Sequence, residues 1–388
     1  MMAPYDTIIL GAGAAGLMCA MTAGKRGRRV LLLDHAGEVG KKILISGGGR
    51  CNFTNLATAA DRFISDNPHF ARAALARYTQ QDFLALVEKH GIAWHEKTLG
   101  QLFCDGSARA IVQMLLDECA AAGVDIRVAH RVVDVSRPDL FRVATDHGDF
   151  TAASLVLATG GLSIPKMGAT GLAYDIAVRF GLKLTAIAPA LVPLTFAGDD
   201  LALMQPLAGV ALPVLATAGK KRFAEAMLFT HRGLSGPAIL QASSYLPAGG
   251  ELLLDLLPGI DAGAALIARK AARPNAELRT ILAEMLPQRL AQALAADGPI
   301  GQIRDRLLAD LAARLKRFVL RPIGTEGYAK AEVTRGGVDT SGLSQRDMQA
   351  KLVPGLFVIG EAVDVTGWLG GYNFQWAWSS GFCAGHAV

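Results

Sequence analysis

An apolar run, YDTIIL at positions 5–10, stops at Gly11, and the spacing of apolar residues then changes. GAGAAGLMCAMTAGKRG places small and apolar residues three and four apart, and RRVLLLD is a second apolar run ending at Asp34. Short apolar runs bounded by turn residues predict buried strands, whereas a period near 3.6 predicts helix. The opening therefore reads strand, glycine turn, helix, strand. Residues 71–90 and 107–122 carry the helical period again, the second closing on Gly123. VDIRVAHRVVDV, FRVATD and DFTAASLVLATGG follow as strands. Such alternation predicts an α/β fold with a mainly parallel sheet and an antiparallel addition.

Near residue 186 the pattern changes. AIAPALVPLTFAG, LAGVALPVLAT and GELLLDLLPG are apolar runs punctuated by proline and glycine, which predicts a β-rich unit. Leu201 to Gly219 has no charge and approaches membrane-spanning length. Pro206, Gly209 and Pro213 interrupt it, so it reads as two short strands joined by turns. Helical spacing returns from Ala262 to Arg317. Turn-rich motifs, the strand GLFVIGE and a last helix follow from Gly336. The expected organisation is an α/β domain split into residues 1–186 and 336–388. Between its halves lie a β-rich unit over 187–261, a helical unit over 262–318 and a return through the β-rich unit over 319–335.

Composition narrows the class. Of 388 residues, 51% are hydrophobic and 19% charged, which suits a large core and excludes a disordered chain. The net charge is +5, and the clusters Lys25-Arg26-Gly27-Arg28-Arg29 and Lys220-Lys221-Arg222 are too short for a nucleic-acid arm. A small-molecule substrate and no nucleic-acid partner are expected. The five cysteines (Cys19, Cys51, Cys104, Cys119, Cys383) show neither CxxC nor metal-ligand spacing. No metal and no disulfide framework are expected, and a reducing cytoplasm fits. Asp6 and a strand pattern stand where a leader would begin, and no membrane partner is expected. No pattern specifies the oligomeric state.

Gly11-x-Gly13-x-x-Gly16 lies between the first strand and the helix, where a dinucleotide needs it. Gly11 permits the tight turn, Gly13 lets the backbone approach a pyrophosphate, and Gly16 lets helix and strand pack closely. Ala14 and Ala15 open the helix, whose N–H groups and positive end favour the pyrophosphate. Asp34, ending the second strand, is placed to accept from ribose hydroxyls. Two later strands also break into glycine: Leu155-Val-Leu-Ala-Thr159-Gly160-Gly161 and Leu356-Phe-Val-Ile-Gly360-Glu361. Either alone is an ordinary buried strand ending in a turn. Together with GAGAAG they point to FAD, because NAD requires no returning strand–Gly–acid segment late in the chain.

GAGAAG, KKILISGGGRCNFTN, LATGGLSIPKMGATG, THRGLSGPA and GEAVDVTGWLGGYNFQWAWSSG span essentially the whole chain in this order. In these motifs the chain resembles the BaiN/YhiN-type family of NAD(P)/FAD-dependent flavoproteins. The resemblance implies a Rossmann-like FAD-binding domain interrupted by a β-barrel-like part and a helical part. It implies that Ser46-Gly47-Gly48-Gly49-Arg50-Cys51-Asn52 passes along the FAD. The glycines would let backbone N–H groups lie against the cofactor, Arg50 would hold phosphate or anchor the loop, and Asn52 can donate and accept. Lys42, or its neighbour Lys41, would add charge near the ribose and pyrophosphate. Cys51 is either a redox thiol or a small packing residue, and the lack of a nearby resolving cysteine favours packing. Val132 joins the expected cofactor contacts. Gly371-Tyr372-Asn373-Phe374 opens the last helix, whose positive end suits the N1/O2 edge of the isoalloxazine, anionic once reduced. Trp376 and Trp378 read as core, and Gly336-Gly337 as a close backbone approach to the ring.

Flavin transfers hydride at N5, so the protein has to orient, exclude water and supply a proton. The candidates are His231 in FTHRGLSGP, with Arg232 as anion or carbonyl anchor, and Tyr372. Ala169 stands where the family often has serine, and the Trp368-Leu369 loop varies, so neither carries specificity over. The expected activity is NAD(P)H-driven hydride transfer through flavin N5 to an unsaturated small organic substrate, a C=C conjugated to a carbonyl. NAD(P)H would dock transiently, since no second strand–GxGxxG–helix unit is present. Two alternatives stand beside this. An FAD-dependent RNA-modifying enzyme suits the pI of about 9.0, but it needs a basic, aromatic face, and ARKAARPNAELRT is mixed in charge. A non-catalytic flavin-binding sensor or assembly protein has less need of a large insert that shields a reactive cofactor.

Overall fold

β1 (Tyr5–Leu10), α1 (Ala14–Lys25) and β2 (Val30–Leu33) form the opening βαβ unit of the computed structural model, which describes residues 4–388. Every residue of α1 from Ala15 to Gly24 is buried, which explains its lack of a polar face. α2 (Lys41–Ile45), β3 (Asn52–Asn55) and the short β4 (Phe63–Ile64) come next. The helical stretch expected over 71–90 is two helices, α3 (Ala71–Arg77) and α4 (Gln80–Lys89). It breaks because Thr79 and Asp82 form a capping box that starts a new helix. The hairpin β5 (Trp94–Glu96) and β6 (Gln101–Cys104) leads to α5 (Arg109–Ala121). β7 (Asp125–Arg127), β8 (Val132–Ser136), β9 (Phe141–Thr145), β10 (Gly148–Leu157) and α6 (Leu172–Arg179) complete the first half.

The chain divides into two compact units: residues up to Ala188 together with Val333–Val388, and Pro189–Glu332. β11 (Ala188–Ala190) stands at the division. The inserted unit begins with β12 (Leu194–Thr195), α7 (Gly198–Met204), β13 (Ala211–Ala218), β14 (Lys221–Thr230), β15 (Gly233–Ser235) and α8 (Pro237–Ser243). β16 (Leu252–Asp255) precedes four helices, α9 (Ala262–Ala272), α10 (Leu278–Leu282), α11 (Gln288–Leu294) and α12 (Asp305–Lys316). β17 (Phe318–Leu320) and β18 (Gly324–Thr325) close it. Its seven strands form an antiparallel sheet in the order β17-β16-β13-β14-β15-β12-β18.

Leu201–Gly219 is not two strands. Its first part ends α7, which starts with Asp199 and Asp200 at the favourable positive end, and only β13 is a strand. Pro206 sits in the first turn of a short 3-10 helix, where its missing N–H costs nothing. Pro213 is tolerated in β13 because β16 pairs only with Leu215–Ala218.

β19 (Val333–Arg335), β20 (Leu356–Val358), β21 (Thr366–Gly367) and α13 (Tyr372–Gly385) return to the first unit. Its main sheet runs β7-β2-β1-β10-β9-β8, with β20 also on β10. β7, β2, β1, β10 and β20 are parallel, and β9 and β8 add antiparallel. The last helix lies on the first: a Cβ on Gly381 would come within 2.5 Å of the Ala15 carbonyl, and one on Gly385 within 2.6 Å of Thr22 Cβ. Trp376 and Trp378 are fully buried in this core.

Candidate cofactor site

The three glycines of the first turn do different work. Gly11 has φ 107°, and a Cβ there would stand 2.5 Å from the Ala158 carbonyl oxygen. A Cβ on Gly16 would collide with the Gly11 carbonyl. Around Gly13 no protein atom lies within 4 Å of the Cβ position, and this glycine caps α1 without any side-chain hydrogen bond. The start of α1 thus presents N–H donors and the positive end of a dipole into open space, which suits a pyrophosphate. Ala14 begins the helix, whereas the Ala15 methyl lies against the Cβ position of Gly360, at 2.9 Å.

Asp34 is partly committed to the turn: Oδ2 accepts from Ala12 N–H at 2.7 Å and Oδ1 from Ala36 N–H at 2.8 Å. Its second lone pairs stay available to ribose hydroxyls. Ala129 and His130 donate to the carbonyls of Ala36 and Asp34, which brings the start of β8, with Val132, towards this end of β2. Val132 itself pairs with Thr145.

The SGGGRCN segment is explained by its backbone. Gly47, Gly48 and Gly49 all have positive φ, at 57°, 67° and 86°. Non-glycine residues resist this region because Cβ crowds the carbonyl. A Cβ on Gly47 would also meet the Phe103 ring at 2.7 Å, whereas Gly48 faces nothing within 4 Å. Ser46 donates to Ile43 O and accepts, through its carbonyl, from Cys51 N–H. Arg50 is exposed, and its guanidinium has no hydrogen bond or ion pair among the described residues. Cys51 is fully buried, and burial pushes its thiol up, away from the thiolate that redox chemistry uses. It is a packing residue. The side-chain amides of Asn52 and Gln101 pair at 2.9 Å.

The two later strand ends meet through a network. Lys42 Nζ donates to Ser163 Oγ at 2.6 Å and to Glu361 Oε2 at 2.7 Å, and Ser163 Oγ donates to Glu361 Oε1 at 3.0 Å. Thr334 N–H also donates to Glu361 Oε1, and Thr334 Oγ1 accepts from Leu162 and Ser163 N–H. Gly161 is glycine because a Cβ would strike Thr334, while Gly160 is open. Thr159 Oγ1 accepts from Ala173 N–H. Gly360 is held on both sides by α13: its N–H donates to Ser380 Oγ at 3.0 Å and its carbonyl accepts from Trp376 Nε1 at 2.9 Å.

The start of α13 packs on β3. Gly371 has φ 95°, and its Cβ would press on the Thr54 carbonyl. Asn55 Nδ2 donates to Gly370 O at 2.8 Å, and a Cβ on Gly370 would stand 2.9 Å from the Gln101 amide carbon. No side chain caps the helix, so its start keeps the positive end of the helix dipole. Asn373 turns inward: its amide bonds Gly367 N–H, Gly367 O and Trp368 O at 2.8, 2.9 and 3.2 Å. Tyr372 is buried against Phe63 and Trp368, and Phe374 stacks on Trp378. His231 and Arg232 belong to the inserted unit, exposed on the turn between β14 and β15, where Arg232 O accepts from Phe196 N–H.

Open backbone at Gly13, Gly48 and Gly160, two uncapped helix starts, an unpaired Arg50 and a carboxylate at the end of β2 fit FAD. They would hold its pyrophosphate, ribose and ring edge. Sequence reasoning missed Gln101, Asn55, Ser163 and Thr334. Ser163 and Asn55 lie inside motifs already quoted and Thr334 just before Gly336-Gly337, but Gln101 has no local signal. Among the described residues no cluster of His, Cys, Asp or Glu is able to hold a metal, and no helix is long and apolar enough to cross a membrane.

Residues 5–387 match the HI0933-like protein Rossmann domain. The chain is 51% identical to the ribosomal RNA dihydrouridine synthase of Escherichia coli (strain K12), over 98% of this chain and 97% of that protein. It is 44% identical, with the same coverage, to the ribosomal RNA dihydrouridine synthase of Haemophilus influenzae. The 3-dehydro-bile acid delta(4,6)-reductase of Clostridium scindens is 30% identical over 98% of both chains. The two synthases overturn the expectation that nucleic acid has no part among the partners. That expectation rested on the lack of a long basic run, and a folded surface can gather scattered charges that no run reveals. With the glycine turns, the returning strand and the family match in agreement, the chain belongs to the HI0933-like, BaiN/YhiN-type family of FAD-binding Rossmann-fold oxidoreductases.

Proposed function

We propose that this protein is an FAD-dependent dihydrouridine synthase that reduces uridine in ribosomal RNA, with NAD(P)H as electron donor. The observation that supports it is the 51% identity, over nearly the whole of both chains, to a ribosomal RNA dihydrouridine synthase. The chemistry agrees with the expectation from sequence, because the uracil C5–C6 double bond is conjugated to the C4 carbonyl. FAD, when bound and reduced, supplies hydride from N5 to C6, and a proton completes C5.

The chain's own residues divide the tasks among them in this reading. The start of α1 with Gly11, Gly13 and Gly16 binds the pyrophosphate, and Asp34 orients the ribose. The open backbone of Gly47 to Gly49, with Arg50, lies along the cofactor. Lys42 and Glu361, locked to each other and to Ser163, fix the turns at Gly161 and Gly360. The positive end of α13 stabilises charge on the ring edge. For the proton, His231 with Arg232 as carbonyl anchor, or Tyr372, are the proposed groups.

The test is anaerobic. Protein reduced with NADPH or NADH is mixed with ribosomal RNA free of dihydrouridine, and flavin reoxidation is followed by absorbance. Mass analysis of the RNA nucleosides should show a uridine that has gained two hydrogen atoms. The pH dependence of reoxidation in His231→Ala and Tyr372→Phe separates the two proton assignments. Reoxidation by a steroid enone but never by RNA would defeat the proposal and favour the small-substrate reading, which the 30% identical bile acid reductase supports.

A further inference from the structure

Of the four tryptophans, Trp376 and Trp378 are fully buried and Trp94 lies in β5, but Trp368 is half-buried on the loop leading into α13. This loop is fixed, not loose. Trp368 N–H donates to Arg62 O at 3.0 Å, its carbonyl accepts from Asn373 Nδ2, and the Asn373 amide also grips Gly367 on both sides. The Arg62 guanidinium lies over the indole, 4.3 Å from the ring centroid. Trp368 meets Tyr372 edge-on at 6.4 Å, and Tyr372 meets Phe63 edge-on at 6.1 Å. The strip runs from the buried Phe63 and Tyr372 to the partly exposed Trp368 and Arg62, with Gly370 and Gly371 two to three residues further on. Asp61 approaches Arg62 at 3.8 Å but is 74% exposed, so it neutralises little of the charge.

We infer that the Arg62–Trp368 stack is a platform that holds a nucleotide of the RNA substrate beside the start of α13. The inference rests on the RNA-reductase reading above. A uracil reaches a flavin only when taken out of its stack, and unstacked bases are held on aromatic faces and arginine planes. A guanidinium over indole offers a planar surface and a charge for the neighbouring phosphate. A small enone has use for the first, and for the second only where it carries an anionic group of its own.

Four variants test it: Trp368→Ala, Trp368→Phe, Arg62→Ala and Arg62→Lys. Each is checked for bound FAD and melting temperature, then for affinity to a ribosomal RNA fragment and for single-turnover reoxidation of reduced flavin by that fragment. Loss of one stacked base weakens RNA binding by about tenfold or more. Trp368→Ala and Arg62→Ala should show it, Trp368→Phe should recover most of the affinity, and Arg62→Lys should recover less, because it keeps the charge without the plane. Variants that bind and reduce RNA as the wild type does overturn the platform while leaving the parent reading intact. A defect confined to the NAD(P)H half-reaction would instead assign the stack to the nicotinamide, and it too overturns the proposal. A wild type that neither binds nor reduces the RNA overturns both, in an arm that contains no variant.

Discussion

Three consecutive glycines are read from sequence as a place without side chains, but the structure gives a stricter reason. Gly47, Gly48 and Gly49 are each left-handed, a conformation that costs an L-residue roughly 1–2 kcal/mol. Strain and cofactor contact can be separated by experiment. Gly48→Ala and Gly27→Ala carry the same backbone penalty, with φ 67° and 79° and no protein atom near either Cβ. Both should lower the melting temperature slightly. Only Gly48→Ala should also lose FAD on gel filtration, since only its methyl would face the cofactor. Equal retention of FAD would mean that the loop does not pass along it. The glycines themselves were legible because a motif is local. The bond between Lys42 and Glu361 was not, since nothing local in a sequence marks two residues 319 positions apart.

At the scale of elements, three helices of the first unit are joined by one carboxylate. Glu118 of α5 is 6% exposed and receives Lys25 from α1, Lys89 from α4 at 2.7 Å, and His90, just past α4, at 2.7 Å. Burial alone would raise its pKa; the hydrogen bonds from Lys25, Lys89 and His90 outweigh burial and bring it down to about 2. A carboxyl depressed on folding stabilises the protein above its unfolded value near 4.5 and loses that contribution as pH falls towards 2. The solvent-exposed lysines reduce the effect to about 1–2 kcal/mol. Urea unfolding between pH 5 and pH 2.5 should therefore show a steeper loss of stability for the wild type than for Glu118→Gln. Parallel curves would show that the cluster adds nothing. Helices such as α5 were legible because one face is apolar, whereas α7 was misread because two prolines outweighed its helix-forming residues. Sequence order could not reveal the stitching, because Lys25 and Glu118 meet only after the sheet brings α1 beside α5.

For the molecule as a whole, charge decides how an RNA partner would be met. Thirty-nine Lys and Arg against 34 Asp and Glu leave +5, and no run is long enough to announce nucleic acid. That excess argued against RNA only while charge was judged as a sequence pattern. An enzyme acting on one nucleotide needs few phosphate contacts and gains most of its selectivity from the base and the cofactor. If roughly four phosphates are neutralised, the logarithm of RNA affinity should fall with the logarithm of salt at a slope of about −3. Binding of the ribosomal RNA fragment across a salt series checks this directly. A slope near zero would mean that phosphates take no part, and would return the argument to a neutral small substrate. A slope much steeper than −3 would show a larger basic surface at work, in which scattered arginines such as Arg50 and Arg62 act together although none belongs to a basic run.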